Sequence, residues 1–563
     1  MNHPTTAPTS WWRDAVIYQV YVRSFADADG DGIGDLAGLR ARLDHVARLG
    51  VDGIWLNPHY SSPQRDHGYD IADYFAVEPA YGDLDSFDAL VADAHERGLK
   101  VLLDVVANHC SSDHPWFQEA LAAAPGSPER ARFVFRDGRG AGGELPPNNW
   151  QSIFGGPAWT RVPGPDGTPG QWYLHIFDSS QPDFDWRAPE VPAMFDEVLR
   201  FWFDRGIDGF RIDVGHGLYK HPELPDWPCA EDGHDCDPHD YNGHMWNQAE
   251  VHEVYRSWRA LADSYSPDRE LMYVGEVWVP QVDSLADYLR PDELHQAFFF
   301  DLLLQPWDGQ AFRGAITRGV EQAAATGAPV TWTLSNHDVP RTVTRYGITR
   351  DPAATTSQAD PIKAARARGA VDVEKGSARA RAAVLLQLAL PGAVYLYAGE
   401  ELGLPEVTDL PDEARQDPAF FRTGGEEVGR DGCRVPLPWT EDRPGFGFSL
   451  AGGADGPAEP WLPQPDWFGK YAVSALEEDR SSVLHLYRDA LAQRRGLFAA
   501  AEPLVWLETG SPDVLAFERG AARCVVNTGS APYVLPEGLG DVVLASAGLS
   551  GRELPVDAAV WLR

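Results

Sequence analysis

Lys100-Val101-Leu102-Leu103-Asp104-Val105-Val106-Ala107-Asn108-His109 is the stretch on which the fold is read: a short apolar run that ends in polar side chains. A segment with helical spacing, 84–97, precedes it, and the same pattern recurs along the chain. Comparable runs lie at 15–22, 53–56, 209–213, 271–277, 297–302, 330–334 and 393–397. Helical spacing returns between them, at 36–49, 192–204 and 250–264 among others. Strands that alternate with helices predict a parallel sheet with crossover helices. Eight such runs match the count of a (β/α)8 TIM barrel, in which chemistry sits at the carboxyl ends of the strands.

Two regions break the rhythm. Between the third and fourth strands the chain is rich in Gly, Pro and aromatics, as in Pro146-Pro147-Asn148-Asn149-Trp150. A structureless loop of that length is improbable, so a small inserted domain over the strand ends is expected. After about residue 500 the pattern turns to short strands and turns, ending in Val560-Trp561-Leu562, which predicts a small all-β C-terminal domain. The division expected is barrel at 11–108 and 182–500, an inserted domain at 109–181 and the β domain at 501–563. Residues 349–382, rich in Ala, Arg, Asp and Gln, read as a long exposed loop or lid, and the apolar run 382–398 as barrel core.

The chain has 563 residues and a net charge of −37, so a phosphate backbone or an anionic membrane surface repels it. Neither nucleic acid nor membrane is expected as a partner. With 44% hydrophobic residues and 20 Trp it is too apolar for a disordered acidic chain. Residues 1–10 lack the cationic start and apolar core of a secretory signal, and five cysteines make no disulfide framework, so the expected compartment is the cytoplasm. Cys229, His234, Cys236 and His239 invite a zinc reading, but their spacing fits no common finger and a surface insertion is the plainer one.

The strand assignments place Asp213, Glu276 and Asp338 at one rim of the barrel with His109, His337 and Arg211. No lysine stands at a strand's carboxyl end, which speaks against Schiff-base chemistry. Paired carboxyls suit glycoside hydrolysis: one supports or attacks a cationic sugar carbon while the other, protonated, serves the leaving oxygen. The blocks Asp104 to His109, Gly209 to Asp213, Gly275-Glu276-Val277-Trp278 and Asn336-His337-Asp338 resemble, in order, those of the α-amylase family, glycoside hydrolase family 13. The resemblance implies a (β/α)8 barrel with an inserted domain after strand three and a β C-terminal domain. It also implies Asp213 as nucleophile, Glu276 as acid/base, Asp338 on the sugar hydroxyls, Arg211 beside the nucleophile, and His109 and His337 on the same glucose.

Further blocks resemble the α-glucosidase and oligo-1,6-glucosidase branch. In Asp66-His67-Gly68-Tyr69-Asp70 the resemblance makes Asp70 the grip on the terminal glucose. In Arg430-Asp431-Gly432-Cys433-Arg434-Val435-Pro436 it makes Arg434 the partner of Asp70, closing a one-glucose pocket. Tyr69, Phe154, Phe177 and Gln181 fall where that branch lines its pocket. Val214, after the nucleophile, tracks α-1,6 preference there, against Thr or Ala for α-1,4. The implied activity is retaining exo-hydrolysis of short α-glucosides. The alternatives are a transglycosylating relative, such as a sucrose isomerase or trehalose synthase, and a catalytically silent transporter subunit. Asp27-Ala28-Asp29-Gly30-Asp31-Gly32-Ile33-Gly34-Asp35 spaces its oxygens like an EF-hand loop, with the Ile33 carbonyl at position seven, and in the family such a loop holds a structural Ca2+ or Mg2+. Oligomeric state is not legible.

Overall fold

The computed structural model describes residues 10–164, 169–228, 241–280, 282–348, 371–451, 458–498 and 502–563. The cysteine- and histidine-bearing loop 229–239 lies outside them, as do residues 349–370. Eight parallel strands close into a barrel: β1 (Val16–Val20), β2 (Gly53–Leu56), β3 (Lys100–Val106), β4 (Gly209–Asp213), β5 (Met272–Gly275), β6 (Gln296–Phe299), β7 (Thr331–Thr333) and β8 (Ala393–Tyr397). They are joined in sequence order, with β8 returning to pair with β1.

Local signals explain where the helices start and stop. Helix α1 (Leu36–Leu49) begins where the Asp35 carboxylate accepts from Gly38 N–H, and it ends at Gly50 with φ +90°. Helix α2 (Leu84–Glu96) opens with a reciprocal cap between Asp83 and Ser86. On α1, Leu36, Leu39, Leu43, Val46 and Leu49 form the buried stripe, each burial being worth about 1.5–3 kcal/mol. The ring continues with α3 (Glu190–Asp204), α4 (Val251–Asp263), the short α5 (Val282–Asp287), α6 (Gly309–Thr326), α7 (Val373–Ala389) and α8 (Val483–Leu497).

Alternation along the strands divides the core. Ile17, Trp55, Leu102, Met272, Val274, Phe298, Ala393 and Tyr395 fill the inside of the barrel. Their neighbours Tyr18, Ile54, Leu56, Val101 and Leu103 face the helices. The expected loop at 349–382 is corrected over its described end, because 373–382 is the first half of α7. From Ala382 to Ala389 that helix is buried on every side, since the C-terminal sheet covers its outer face. Trp561 donates to Leu385 O at 2.9 Å and Arg519 to Ala389 O at 3.0 Å.

That sheet is antiparallel, in the order 505–506, 514–519, 522–527, 558–562, 542–545. Between β3 and β4 a second small antiparallel sheet is built from 135–136, 169–174 and 159–163. The chain returns from it through bridges of His109 to Asp183 and of Phe133 to Phe184, which seat this sheet over the carboxyl end of β3.

Candidate active site

Strand register brings the acids together. β3 pairs with β4 so that Asp104 lies opposite Arg211 and Val106 opposite Asp213. β4 pairs with β5 through Ile212 and Gly275, and Glu276 N–H donates to Ile212 O at 2.9 Å, so Glu276 emerges beside Asp213. One guanidinium then ties the group. Arg211 Nη1 donates to Asp104 Oδ1 and to Asp213 Oδ1, both at 2.6 Å, while Nη2 donates to Glu276 Oε2. Trp55 and Tyr69 each donate to Asp104 Oδ2 at 3.0 Å, so this carboxylate is an anchor for Arg211 and faces no open space.

Burial pushes the Asp104 carboxyl up to about 6 against the pull of Arg211. It pushes Asp213 well above the usual carboxylate range too, with Arg211 opposing and the charges of Glu276, Asp104 and Asp338 reinforcing the rise.

The opposite wall is built at the end of β7. Asn336 Oδ1 accepts from the backbone N–H of Asp338 at 2.8 Å and of Val339 at 3.1 Å, a side-chain turn that presents Asp338 to the cleft. Asp338 Oδ1 accepts from Arg430 Nη1 and Arg434 Nη2, both at 3.0 Å. Burial opposes its ionisation, yet the guanidiniums of Arg430, Arg434 and Arg211 hold its carboxyl below the usual range. His337 stacks on Tyr69 with ring centroids 5.2 Å apart and a 3° tilt, and burial keeps its imidazole well below the usual histidine range. The ring is therefore neutral at pH 7, with Gln19 Nε2 2.8 Å from its Nδ1.

The pocket end departs from expectation. Asp70 does not meet Arg434: it is fully buried and accepts from Ser62 Oγ and from Arg65 and Asp66 N–H, all at 3.0 Å. Asp66 makes the ion pair instead, with Arg430 Nη2 at 2.8 Å, and Arg430 Nε also binds Asp417 at 2.6 Å. The reason is a chain reversal between the two acids. His67 has φ +52° and Gly68 φ +102°, and a Cβ on Gly68 would stand 2.7 Å from Pro58 O. Asp70 is thereby turned to hold the loop, and Arg434 braces Asp338 and the His337 carbonyl, the latter at 2.9 Å.

The other expected residues do converge. Gln181 Nε2 donates to Asp66 Oδ2 at 3.0 Å and lies 3.2 Å from His109 Nε2. Phe177 packs on His109 and on Phe154, and the Arg430 guanidinium lies over the Phe154 ring at 4.9 Å. Val214 is buried with φ +46°, strained for a β-branched residue, and its N–H points at Glu276 Oε2 from 3.4 Å.

The profile of the alpha amylase catalytic domain matches residues 19–499. The chain belongs to the alpha-amylase family. A probable alpha-glucosidase of Rhizobium meliloti (strain 1021) is 38% identical over 518 residues, covering 89% of this chain and 86% of its own. An oligo-1,6-glucosidase of Parageobacillus thermoglucosidasius is 33% identical over 86% of this chain and 84% of its own. Among solved structures, an alpha-glucosyl transfer enzyme superposes with a TM-score of 0.82 at 35% identity, over 98% of this chain and 99% of that one.

Within this alpha-amylase family barrel, sequence reasoning passed over Asp66, Arg430, Asp417 and Trp278. Asp66, Arg430 and Trp278 stand in blocks quoted above, where the signal lay in the other acid and the other arginine; Asp417 stands in none. Trp278 donates from Nε1 to Glu276 Oε1 at 2.9 Å, a contact no spacing rule announces.

Away from the cleft, Asp27, Asp29 and Asp35 bring carboxylate oxygens within 4.8 Å of one another. Asp31 stands outside that group, its exposed carboxylate accepting from Ile33 N–H at 2.8 Å. Burial and the neighbouring Asp29 and Asp27 push the Asp35 carboxyl up, against the N–H groups of Gly38 and Ala28. A hard divalent cation would relieve that repulsion, so the donor set fits one. Among the described residues no helix is long and apolar enough to cross a membrane.

Proposed function

We propose that this glycoside hydrolase is a retaining exo-α-glucosidase that releases glucose from the non-reducing end of short α-glucosides. The observation that carries the reading is the single guanidinium, Arg211, bound to both Asp213 and Glu276 at adjacent strand ends, facing a second wall of Asp338, Asp66 and Arg430. Asp213 attacks the anomeric carbon while Glu276 protonates the leaving oxygen; the same Glu276, now ionised, takes a proton from the water that cleaves the glucosyl ester. Arg211 opposes the burial that raises the Asp213 carboxyl and so favours the ionised form that a nucleophile requires. Asp338 and Asp66, fixed by Arg430, accept from sugar hydroxyls, and Tyr69 with neutral His337 forms the flat wall against the ring. The Arg430–Asp66 pair closes the far end of the cleft and limits it to one terminal glucose.

The similarity to an alpha-glucosyl transfer enzyme favours a second reading, in which a sugar or other hydroxyl replaces water on the ester. A kcat/KM panel over maltose, isomaltose, sucrose and trehalose, with product analysis, separates the two. Initial α-glucose in proton NMR is expected, and initial β-glucose would exclude the double displacement. Asp27, Asp29 and Asp35 would hold a structural Ca2+ or Mg2+ that ties the loop to the start of α1 and takes no part in bond breaking. The free, buried Cys110, Cys433 and Cys524 support a cytoplasmic setting.

A further inference from the structure

Glu276 has four strong acceptor positions, two on each oxygen. Oε2 is committed, receiving Arg211 Nη2 and facing Val214 N–H. Among the described residues Oε1 receives only Trp278 Nε1–H, at 2.9 Å, and so keeps one lone pair open. An indole N–H donates and never accepts, so this contact fixes the rotation of the carboxyl group whether or not the carboxyl carries its proton.

The indole is itself anchored. It lies on Phe300 with ring centroids 4.0 Å apart and an 8° tilt. Phe300 stacks on Phe298 at 5.5 Å, and Phe298 packs edge-on to Tyr395 inside the barrel at 4.8 Å. A rigid aromatic file thus runs from the barrel core to the carboxyl group.

We propose that Trp278 is a positioning residue for the proton transfers of Glu276, using its indole N–H to aim the free lone pair of Oε1 at the glycosidic oxygen. The proton delivered to the leaving oxygen then sits on Oε1, and in the second half-reaction the same lone pair receives the proton of the attacking water. The proposal rests on Glu276 being the acid/base.

Trp278→Phe keeps a ring on Phe300 and removes the donor. The test compares kcat/KM for maltose, whose leaving sugar needs protonation, with that for 4-nitrophenyl α-glucoside, whose phenolate leaves without it. Maltose is expected to lose roughly tenfold, a fraction of what a general acid supplies, and the aryl glucoside no more than about twofold. An equal loss on both substrates, or none on either, would overturn the proposal. Should circular dichroism show Trp278→Phe unfolded, Phe300→Leu decides: loosening the file must lower the maltose-to-aryl ratio in the same direction, and an unchanged ratio would overturn the proposal. Failure of the wild-type enzyme to cleave either substrate would instead defeat the α-glucosidase reading.

Discussion

Arg430→Met removes the cation on which the far end of the pocket is built. In the native protein Arg430 donates to Asp417 at 2.6 Å, Asp66 at 2.8 Å and Asp338 at 3.0 Å, with its side chain 12% exposed. Methionine fills most of the space over Phe154 but leaves three acids facing one another with Arg434 as the remaining near cation. Stripping one partner from a buried ion pair costs about 3–5 kcal/mol. At about 2.1 cal/mol/K of unfolding entropy per residue, that lowers Tm by about 3–4 °C if the chain unfolds as one unit.

The loss must depend on pH. Burial opposes ionisation of Asp417, yet Arg430 and Arg434 hold its carboxyl far below the usual range. A depressed carboxyl stabilises the fold above its unfolded pKa of about 3.9, and that contribution fades as pH falls through the folded value. Without Arg430 burial wins, so the variant recovers stability by protonating Asp417 and Asp66 as pH falls toward 4. The Tm deficit is therefore expected to be larger at pH 7.5 than at pH 5, read by thermal unfolding. In parallel, kcat/KM for maltose should fall at least about 10²-fold, equivalent to ~2.7 kcal/mol, chiefly through KM. Wild-type KM together with an equal Tm deficit at both pH values would refute the assignment of Arg430 as the clamp of these acids.

Asp213→Asn keeps the shape and the Arg211 contact but loses the nucleophilic charge; turnover should drop by at least about 10³-fold with Tm held or raised, and retained hydrolysis would remove Asp213 from the mechanism. Chelation by EDTA should lower Tm, with 1 mM Ca2+ restoring about 2–3 kcal/mol if the ion is present near a hundred times its dissociation constant, and Asp27→Asn should abolish that response. Gly38→Ala should destabilise the same loop, because its Cβ would stand 2.1 Å from Ala26 O; an unshifted Tm would show that the α1 start tolerates movement.

The barrel was legible because each strand and helix advertises its own ends. Asp35 and Gly50 bound α1 by capping chemistry that is local to the sequence, and β2, β3, β4 and β8 begin and end where their apolar runs do. Helix α7 hid because its first half is partly exposed and rich in Arg and Ala, while its second half is covered by the C-terminal sheet. No single apolar stripe runs along it, and the covering residues, Trp561 and Arg519, lie far away in the chain. The site was legible where a candidate catalytic residue stands at a strand end, since register alone brings Asp213 and Glu276 together. It was not legible at Asp66 and Asp70, where two acids in one block are sent opposite ways by the backbone of His67 and Gly68.

The charge of the cleft has a consequence for selectivity between ground and transition state. Among the described residues Asp66, Asp104, Asp213, Glu276, Asp338 and Asp417 share Arg211, Arg430 and Arg434, six carboxyls against three guanidiniums, so the cluster is acidic in composition. A neutral glucoside gains little from that excess, while an oxocarbenium-like sugar gains strongly, because buried charges are poorly screened. The −37 of the whole chain does not supply this effect, since exposed charges are damped beyond about 8–10 Å at physiological salt. The arginines must therefore be few and fixed. Arg211 is shared among three acids and Arg430 among three more, so each guanidinium orients several carboxyls at once, an arrangement suited to a sugar carbon on which positive charge develops.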